Sequence, residues 1–379
     1  MRRNSLTVVV AAAVGWLIVA CGGGDGGGSN GRAPDVNPGL PVTISIAPEN
    51  TGDGWIPSTP AGEGMSAAEL KGTLELIRDQ AFTKVDSMVV ARHGKLVAEG
   101  YFNGYGRDTL HDLRSTGKSF TSALAGIAVD QGLFEVEDLI SLHIPQFDRH
   151  DNMSARKQSI QVYHLLNMNS GLECNDWDSS SRGNEERMYD KRDWVGFILD
   201  LPMAYDPGQA TQYCTGGVVV LGHIISQESG MALDAYADAY LFGPLGIRDA
   251  QWRRSPDGAA TGGGGLGLRP RDAAKLGQLY LDGGTWNGTR VVPADWVDAS
   301  QQRLYSLGGD RYGYLWWKRS FSRPSGNVDS FFTSGNGGNY IFVIPSLDLV
   351  VVFTGSNYNS PLGDQPFRIL ADRVLPAVQ

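Results

Sequence analysis

Residues 113–120 read Leu-Arg-Ser-Thr-Gly-Lys-Ser-Phe, so Ser115 stands three positions before Lys118. On a helix, positions three apart share a face, about 5 to 6 Å apart at Cβ, and a hydroxyl and an amine so placed can meet. Lysine is charged at its ordinary pKa and cannot accept a proton. Burial beside other hydrogen-bonding groups favours the neutral amine, which can then activate a serine as a nucleophile. A serine in the first turn of a helix also keeps a free backbone N–H, one half of an oxyanion hole. The same stretch contains Gly117-Lys118-Ser119, the end of a phosphate-binding loop. That loop needs glycine where this chain has Asp112, and it follows an apolar strand, whereas residues 106–114 are polar. Taken alone, Ser-x-x-Lys is common, and Ser115 as a helix cap with Lys118 on a solvated face is the better reading of this stretch.

Two later segments change that. Residues 212–230 begin Gln-Tyr-Cys-Thr, placing Tyr213 two positions before Thr215, and residues 333–345 contain Asn336-Gly337-Gly338-Asn339 at the start of an apolar strand. Taken in order, Ser-x-x-Lys, Tyr-x-Thr and the glycine-rich third segment resemble the three motifs of serine β-lactamases, penicillin-binding proteins and their esterase relatives. The branch most resembled is the class C β-lactamase-like serine hydrolases, which include esterases, D-amino peptidases and a hydrolase of 6-aminohexanoate dimers. The resemblance runs from about residue 55 to the C-terminus. It implies Ser115 as nucleophile, Lys118 and Tyr213 as proton carriers, and the N–H groups of Ser115 and Asn339 as oxyanion donors. It also implies substrate contacts from Thr215, Asn336, Gly337 and Gly338, with the glycines letting the strand approach the substrate closely.

The chain departs from the family pattern at two points. Thr215 replaces the asparagine of the second motif, and a hydroxyl reaches less far than an amide. Asn336 replaces the cation of the third motif, which disfavours a substrate carboxylate and suits a neutral ester or amide. The reaction implied is hydrolysis of an ester or amide through a Ser115 acyl-enzyme, with no metal or organic cofactor required. The rival within the family is a penicillin-recognising protein that deacylates slowly.

Other signals carry less. Residues 262–267 satisfy a dinucleotide-type glycine pattern, but no strand precedes them and Pro270 opens the next helix, so they read as a loop beside the site. Histidines 93, 111, 143, 150, 164 and 223 show no short metal-binding spacing. His111 lies near Ser115 but is not needed as a base. Asp176, Trp177 and Asp178 form a loop that faces the substrate or packs on the surface, and Tyr189 and Trp317 are candidates for an apolar wall.

These residues need elements to hold them. Ser66 caps a helix over 65–82, and residues 87–102 form a hairpin around His93-Gly94. The helix after Ser115 ends near Gly132. Residues 134–254 carry mostly helical patterns, 271–283 another helix, 339–356 a hairpin turning at Pro345 to Asp348, and 366–377 a final helix. Strands at both ends around a helical middle predict an α/β (α+β) fold of the β-lactamase/transpeptidase type, an antiparallel sheet flanked by helices. The α/β part spans about 61–133 and 255–379, with an all-helical insert at 134–254.

The chain has 379 residues, 41% apolar and 19% charged, and a net charge of −9. Such a surface repels nucleic acid phosphates. Arg2 and Arg3 precede an apolar run from Leu6 to Ala20 that is too short to span a bilayer and reads as a signal peptide, residues 1–20. Ile18-Val19-Ala20-Cys21 resembles a bacterial lipoprotein box, so Cys21 is expected to be acylated and residues 21–60 to form a tether and an extended surface segment. Gly22 after the cysteine favours the outer membrane, and the lipid would be the sole membrane attachment. Losing the leader takes the charge from −9 to −11, since it contains two arginines and no acid. In an oxidising compartment Cys174 and Cys214 are expected to pair.

Overall fold

The computed structural model describes residues 36–302 and 304–379; the leader, Cys21 and the glycine-rich stretch after it lie outside the described residues. The strands, in chain order, are β1 (Thr43–Ser45), β2 (Ile56–Pro57), β3 (Val85–Arg92), β4 (Lys95–Tyr101), β5 (His111–Asp112), β6 (Gln251–Trp252), β7 (Leu266–Leu268), β8 (Thr285–Trp286), β9 (Thr289–Arg290), β10 (Tyr305–Leu307), β11 (Asp310–Gly313), β12 (Trp316–Phe321), β13 (Val328–Gly335), β14 (Asn339–Ile344) and β15 (Leu349–Gly355). A ten-stranded sheet runs β1-β4-β3-β15-β14-β13-β12-β11-β10, with β2 added beside β4. All its pairs are antiparallel except β2 with β4.

The middle of this sheet is buried on both faces, and the alternation of side chains along each strand feeds two separate cores. Val89, Ala91, Ile341, Val343, Val350 and Val352 face helix Pro270–Leu281, in a core that also takes in helix Gly117–Asp130 and helix Thr215–Ser229. Met88, Val90, Phe342, Ile344, Val351 and Phe353 face the other way, against helix Ala67–Arg78 and the C-terminal residues Ile369, Leu370 and Val374. This explains the unbroken apolar runs of β14 and β15. Neither face meets water.

Local signals set the ends of these elements. The Ser66 hydroxyl accepts from the Glu69 amide at 3.3 Å and caps the first helix. His93 and Gly94 both have positive φ, 51° and 72°, the conformation a two-residue hairpin turn requires. Asp348, at φ 48°, ends the turn between β14 and β15. The segment read as extended surface chain is partly recruited into the sheet, because β1 and β2 both pair with β4. The middle of the chain is less helical than its pattern suggests. Between residues 134 and 214 the α-helices have four to six residues each. Ser154, Asn184 and Asp193 each cap a new short helix there, so capping side chains compete successfully with helix extension.

Cys174 and Cys214 form a disulfide across a Cα separation of 5.4 Å and 40 residues of chain. It joins the loop after Leu172 to the start of helix Thr215–Ser229. No described helix is long and apolar enough to cross a membrane. Replacing both cysteines with alanine should lower the unfolding free energy by about 2–4 kcal/mol through the longer loop left open in the unfolded chain. A denaturant titration with unchanged midpoint would show that the bridge contributes nothing to stability.

Candidate active site

Ser115 lies in a 3-10 turn, Arg114–Thr116, that runs straight into helix Gly117–Asp130. In a 3-10 turn residues i and i+3 eclipse one another, which is tighter than the α-helical spacing expected from the sequence. Lys118 Nζ consequently reaches Ser115 Oγ at 2.9 Å. The same nitrogen donates to the Gly263 carbonyl at 2.5 Å, and the lysine is 1% exposed. Arg114, immediately before the serine, has φ 51°, a left-handed conformation that a side chain adopts at a cost of about 1–3 kcal/mol and that clusters at functional sites. Its N–H donates to Asp112 Oδ1 at 2.8 Å, and its guanidinium lies over the Tyr358 ring at 4.5 Å.

The glycine-rich loop is a wall of the site. A Cβ at Gly263 would come within 2.8 Å of Thr215 Cγ2, and one at Gly264, where φ is 142°, within 3.0 Å of the Arg114 carbonyl oxygen. Gly265 N–H donates to that carbonyl at 3.3 Å. The loop supplies a main-chain acceptor to Lys118, a role the glycine pattern alone did not reveal.

Tyr213 comes from the helical part, on the residue before the disulfide cysteine. Lys118 Nζ lies 5.1 Å from its ring centroid, so serine, lysine and tyrosine converge as the motifs imply. The Tyr213 ring stacks on Trp177 at 5.4 Å and Trp317 at 6.0 Å, with Tyr312 packed edge-on. Trp177 and Trp317 are part-exposed, making an aromatic wall beside the phenol. Tyr189 instead sits under Arg253, whose guanidinium is 3.7 Å from its ring centroid, and donates its hydroxyl to Glu185 at 2.8 Å. Burial, with the Glu185 charge close by, raises the Tyr189 pKa well above its usual range.

The third motif closes the site through β13. Gly335, its last residue, lies against the Arg114–Thr116 turn: a Cβ there would be 2.2 Å from the Leu113 carbonyl oxygen and 3.1 Å from Thr116 N. Thr116 Oγ1 donates to the Asn339 carbonyl at 2.8 Å and accepts from Thr333 Oγ1 at 3.1 Å, tying the turn to both strands. Asn339 is fully buried and paired with Gly335 across the hairpin, its side chain spanning Asn336 O and Gly355. Among the described residues the backbone N–H of Asn336, one residue past the strand, has no hydrogen-bond acceptor.

Other sequence expectations change at this point. Gly337 and Gly338 are buried and have φ of 99° and 102°. A Cβ at Gly337 would meet Gly355 O at 2.7 Å and the Tyr358 ring at 2.7 Å. These glycines let the turn pack on its own protein and not on a substrate. Thr215 is 1% exposed and its methyl packs beneath Gly263, so it closes the floor of the site. The Asn336 side chain is exchanged with Asn359, donating to its Oδ1 at 2.7 Å and accepting from its N–H at 2.9 Å. His111 is fully buried, with Nε2 on Asp86 at 2.9 Å and Nδ1 near Asp112 O at 3.2 Å, and holds β5 in place. Among the described residues no group of three or more metal-ligating side chains is arranged to hold an ion.

This geometry agrees with what the chain is similar to. The beta-lactamase family model matches residues 76–375. The 6-aminohexanoate-dimer hydrolase of Paenarthrobacter ureafaciens is 26% identical over 288 residues, covering 71% of this chain and 72% of the relative. Esterase EstB of Burkholderia gladioli is 28% identical over 211 residues, 50% of this chain and 53% of that one. The fold is shared with a class C beta lactamase from Rhodobacter sphaeroides, at a TM-score of 0.61 and 16% identity over 81% of this chain and 99% of the other. With a serine, a lysine and a tyrosine gathered from a 3-10 turn, its helix and the helical lobe, the chain belongs to the beta-lactamase family of serine hydrolases.

Proposed function

We propose that the protein hydrolyses a neutral carboxylic ester or amide through an acyl-enzyme on Ser115. The observation that carries this is the 2.9 Å contact between Ser115 Oγ and the buried Lys118 amine, beneath the Tyr213 ring. Lys118, in its neutral form, takes the Ser115 proton as Oγ bonds to the substrate carbonyl carbon. The charge that develops on the carbonyl oxygen faces the N–H groups of Ser115 and of Asn336. We assign the second donor to Asn336 and not to Asn339, because the former amide has no acceptor among the described residues and follows Gly335, which lies against the nucleophile turn, while the latter residue is built into the hairpin. Collapse breaks the bond to the leaving group, whose heteroatom takes a proton from Tyr213, and Lys118 restores that proton. Water then attacks the acyl carbon by the same route and frees Ser115.

The substrate class follows from what lines the site. Neutral Asn336, occupied with Asn359, supports a substrate without a carboxylate at that point. The part-exposed indoles of Trp177 and Trp317 support an apolar or flat group beside the scissile bond. Linear amides and esters, the substrate types named for the relatives, fit both features. From the leader sequence we further propose that Cys21 is lipidated and that the enzyme works in the bacterial cell envelope, anchored at the outer membrane.

Three outcomes are expected. Ser115→Ala should abolish labelling by a fluorophosphonate and turnover of a p-nitrophenyl ester, while Lys118→Ala and Tyr213→Phe should each lower kcat/KM by about 10²–10⁴-fold with the fold intact. Labelling and turnover retained in Ser115→Ala would end this mechanism, and stable labelling by a β-lactam without turnover would favour the slow-deacylating alternative. Gly335→Ala should push β13 off the nucleophile turn and cost about 10²-fold in kcat/KM, with circular dichroism unchanged. Cells fed an alkynyl palmitate should label the full chain but not Cys21→Ser; equal labelling of both would remove the lipoprotein reading.

A further inference from the structure

Asp176 is a carboxyl group 5% exposed, and among the described residues it forms no ion pair. Its partners are amides. Oδ2 accepts from Thr215 N at 2.6 Å and Oδ1 from Glu185 N at 2.9 Å. Its own N–H donates to the Tyr213 carbonyl at 2.8 Å, and its carbonyl accepts from Asn184 Nδ2 at 3.1 Å. Two residues before it, Cys174 is bonded to Cys214. The Tyr213-Cys214-Thr215 segment is therefore held at each of its three residues by the Cys174–Asp176 strip. A buried carboxylate without a cation in contact is costly, so a purely structural clamp would be served better by a neutral side chain.

We propose that Asp176 is a positioning residue for the acyl transfer, whose ionised carboxylate draws the Thr215 and Glu185 amides together and fixes Tyr213 over Lys118. Both oxygens are needed, because a protonated carboxyl has one good acceptor and would leave an amide unpaired. The charged and titratable groups around it are Lys118 on the nucleophile helix, Glu185 and Tyr189 on helix Glu185–Tyr189, and Tyr213 at the entry to the next helix. Burial, helped by the Glu185 charge, raises the Asp176 pKa to about 7, against the pull of the Thr215 amide and of Lys118 when its amine is protonated. Catalysis thus weakens as pH falls through about 7 and Asp176 takes up a proton.

Stability runs the other way. Between the ordinary carboxylate range and about 7 the unfolded chain has released this proton while the folded protein keeps it, so this group makes the fold less stable as pH rises. The ionised state that serves the chemistry is the one the fold tolerates least. A clamp with only a structural role would not show that opposition.

The inference rests on the assignment of Ser115, Lys118 and Tyr213, and the test separates the two. The burst of p-nitrophenol is followed with p-nitrophenyl butyrate from pH about 5.5 to about 9, in the wild type and in Asp176→Asn. The wild-type acylation rate should fall below pH about 7. The variant should acylate about ten- to hundredfold more slowly at pH about 8, the scale of one hydrogen bond to a charged group, and should lack that acid limb. Its melting temperature relative to wild type should rise between pH about 5 and about 8. An acid limb that persists in Asp176→Asn, or a variant as fast as wild type, overturns the proposal. A wild-type rate flat across pH 7 overturns it whether or not the variant folds. Failure of a fluorophosphonate to label wild-type Ser115 would instead overturn the underlying assignment.

Discussion

The site depends on one close approach, between the end of β13 and the backbone of residues 113–116. Gly335 sits where no side chain fits against the Leu113 carbonyl, and the Thr116 hydroxyl spans the same gap to Asn339. This contact brings a sheet strand beside a turn that belongs to a helix, two elements more than 200 residues apart in the chain. The position of Ser115 relative to the Asn336 amide follows from it.

Lys118 is fixed from a different direction. Its helix is buried along nearly its whole length, and the Gly263 carbonyl and Ser115 hydroxyl receive its amine. Ser119 and Thr121 on the same helix give their hydroxyls to Leu315 O and Gly262 O. These bonds stop rotation of the helix about its axis, which would otherwise sweep the amine away from Oγ. The aromatic stack on Tyr213 restrains the third group: flat faces of Trp177 and Trp317 leave the phenol ring little freedom to tilt.

Much of this was legible from residue types. The hairpins at residues 87–102 and 339–356 showed as paired apolar runs around turn residues, and Ser66 marked a helix start. Ser115, Lys118 and Tyr213 were readable because a serine, a lysine three residues on and a later tyrosine occur in the order of the family motifs. What the sequence concealed was backbone. The Gly263 carbonyl and the Asn336 amide carry no side-chain signature, and only the folded hairpin distinguishes residue 336 from residue 339. Thr215 misled for a related reason, since its place in a motif says nothing of the helix that buries it. The short helices between residues 134 and 214 resembled longer ones because apolar spacing continues across caps that interrupt the backbone.

Lys118 and Tyr213 are seated in the core and Ser115 is part-exposed at its edge, whereas Trp177, Arg253 and Tyr358 lie on loops around them. A nucleophile helix enclosed on every side tolerates little exchange, and Gly126 illustrates it, since a methyl there would strike the Trp296 ring at 2.5 Å. The rim is packed as closely where it touches glycine, at Gly308 beside Trp177 and Gly265 beside Arg253, but its outer faces are part-exposed. A bulkier side chain is therefore accommodated only where it can point outward from the mouth, away from the glycine contacts that hold Trp177 and Arg253.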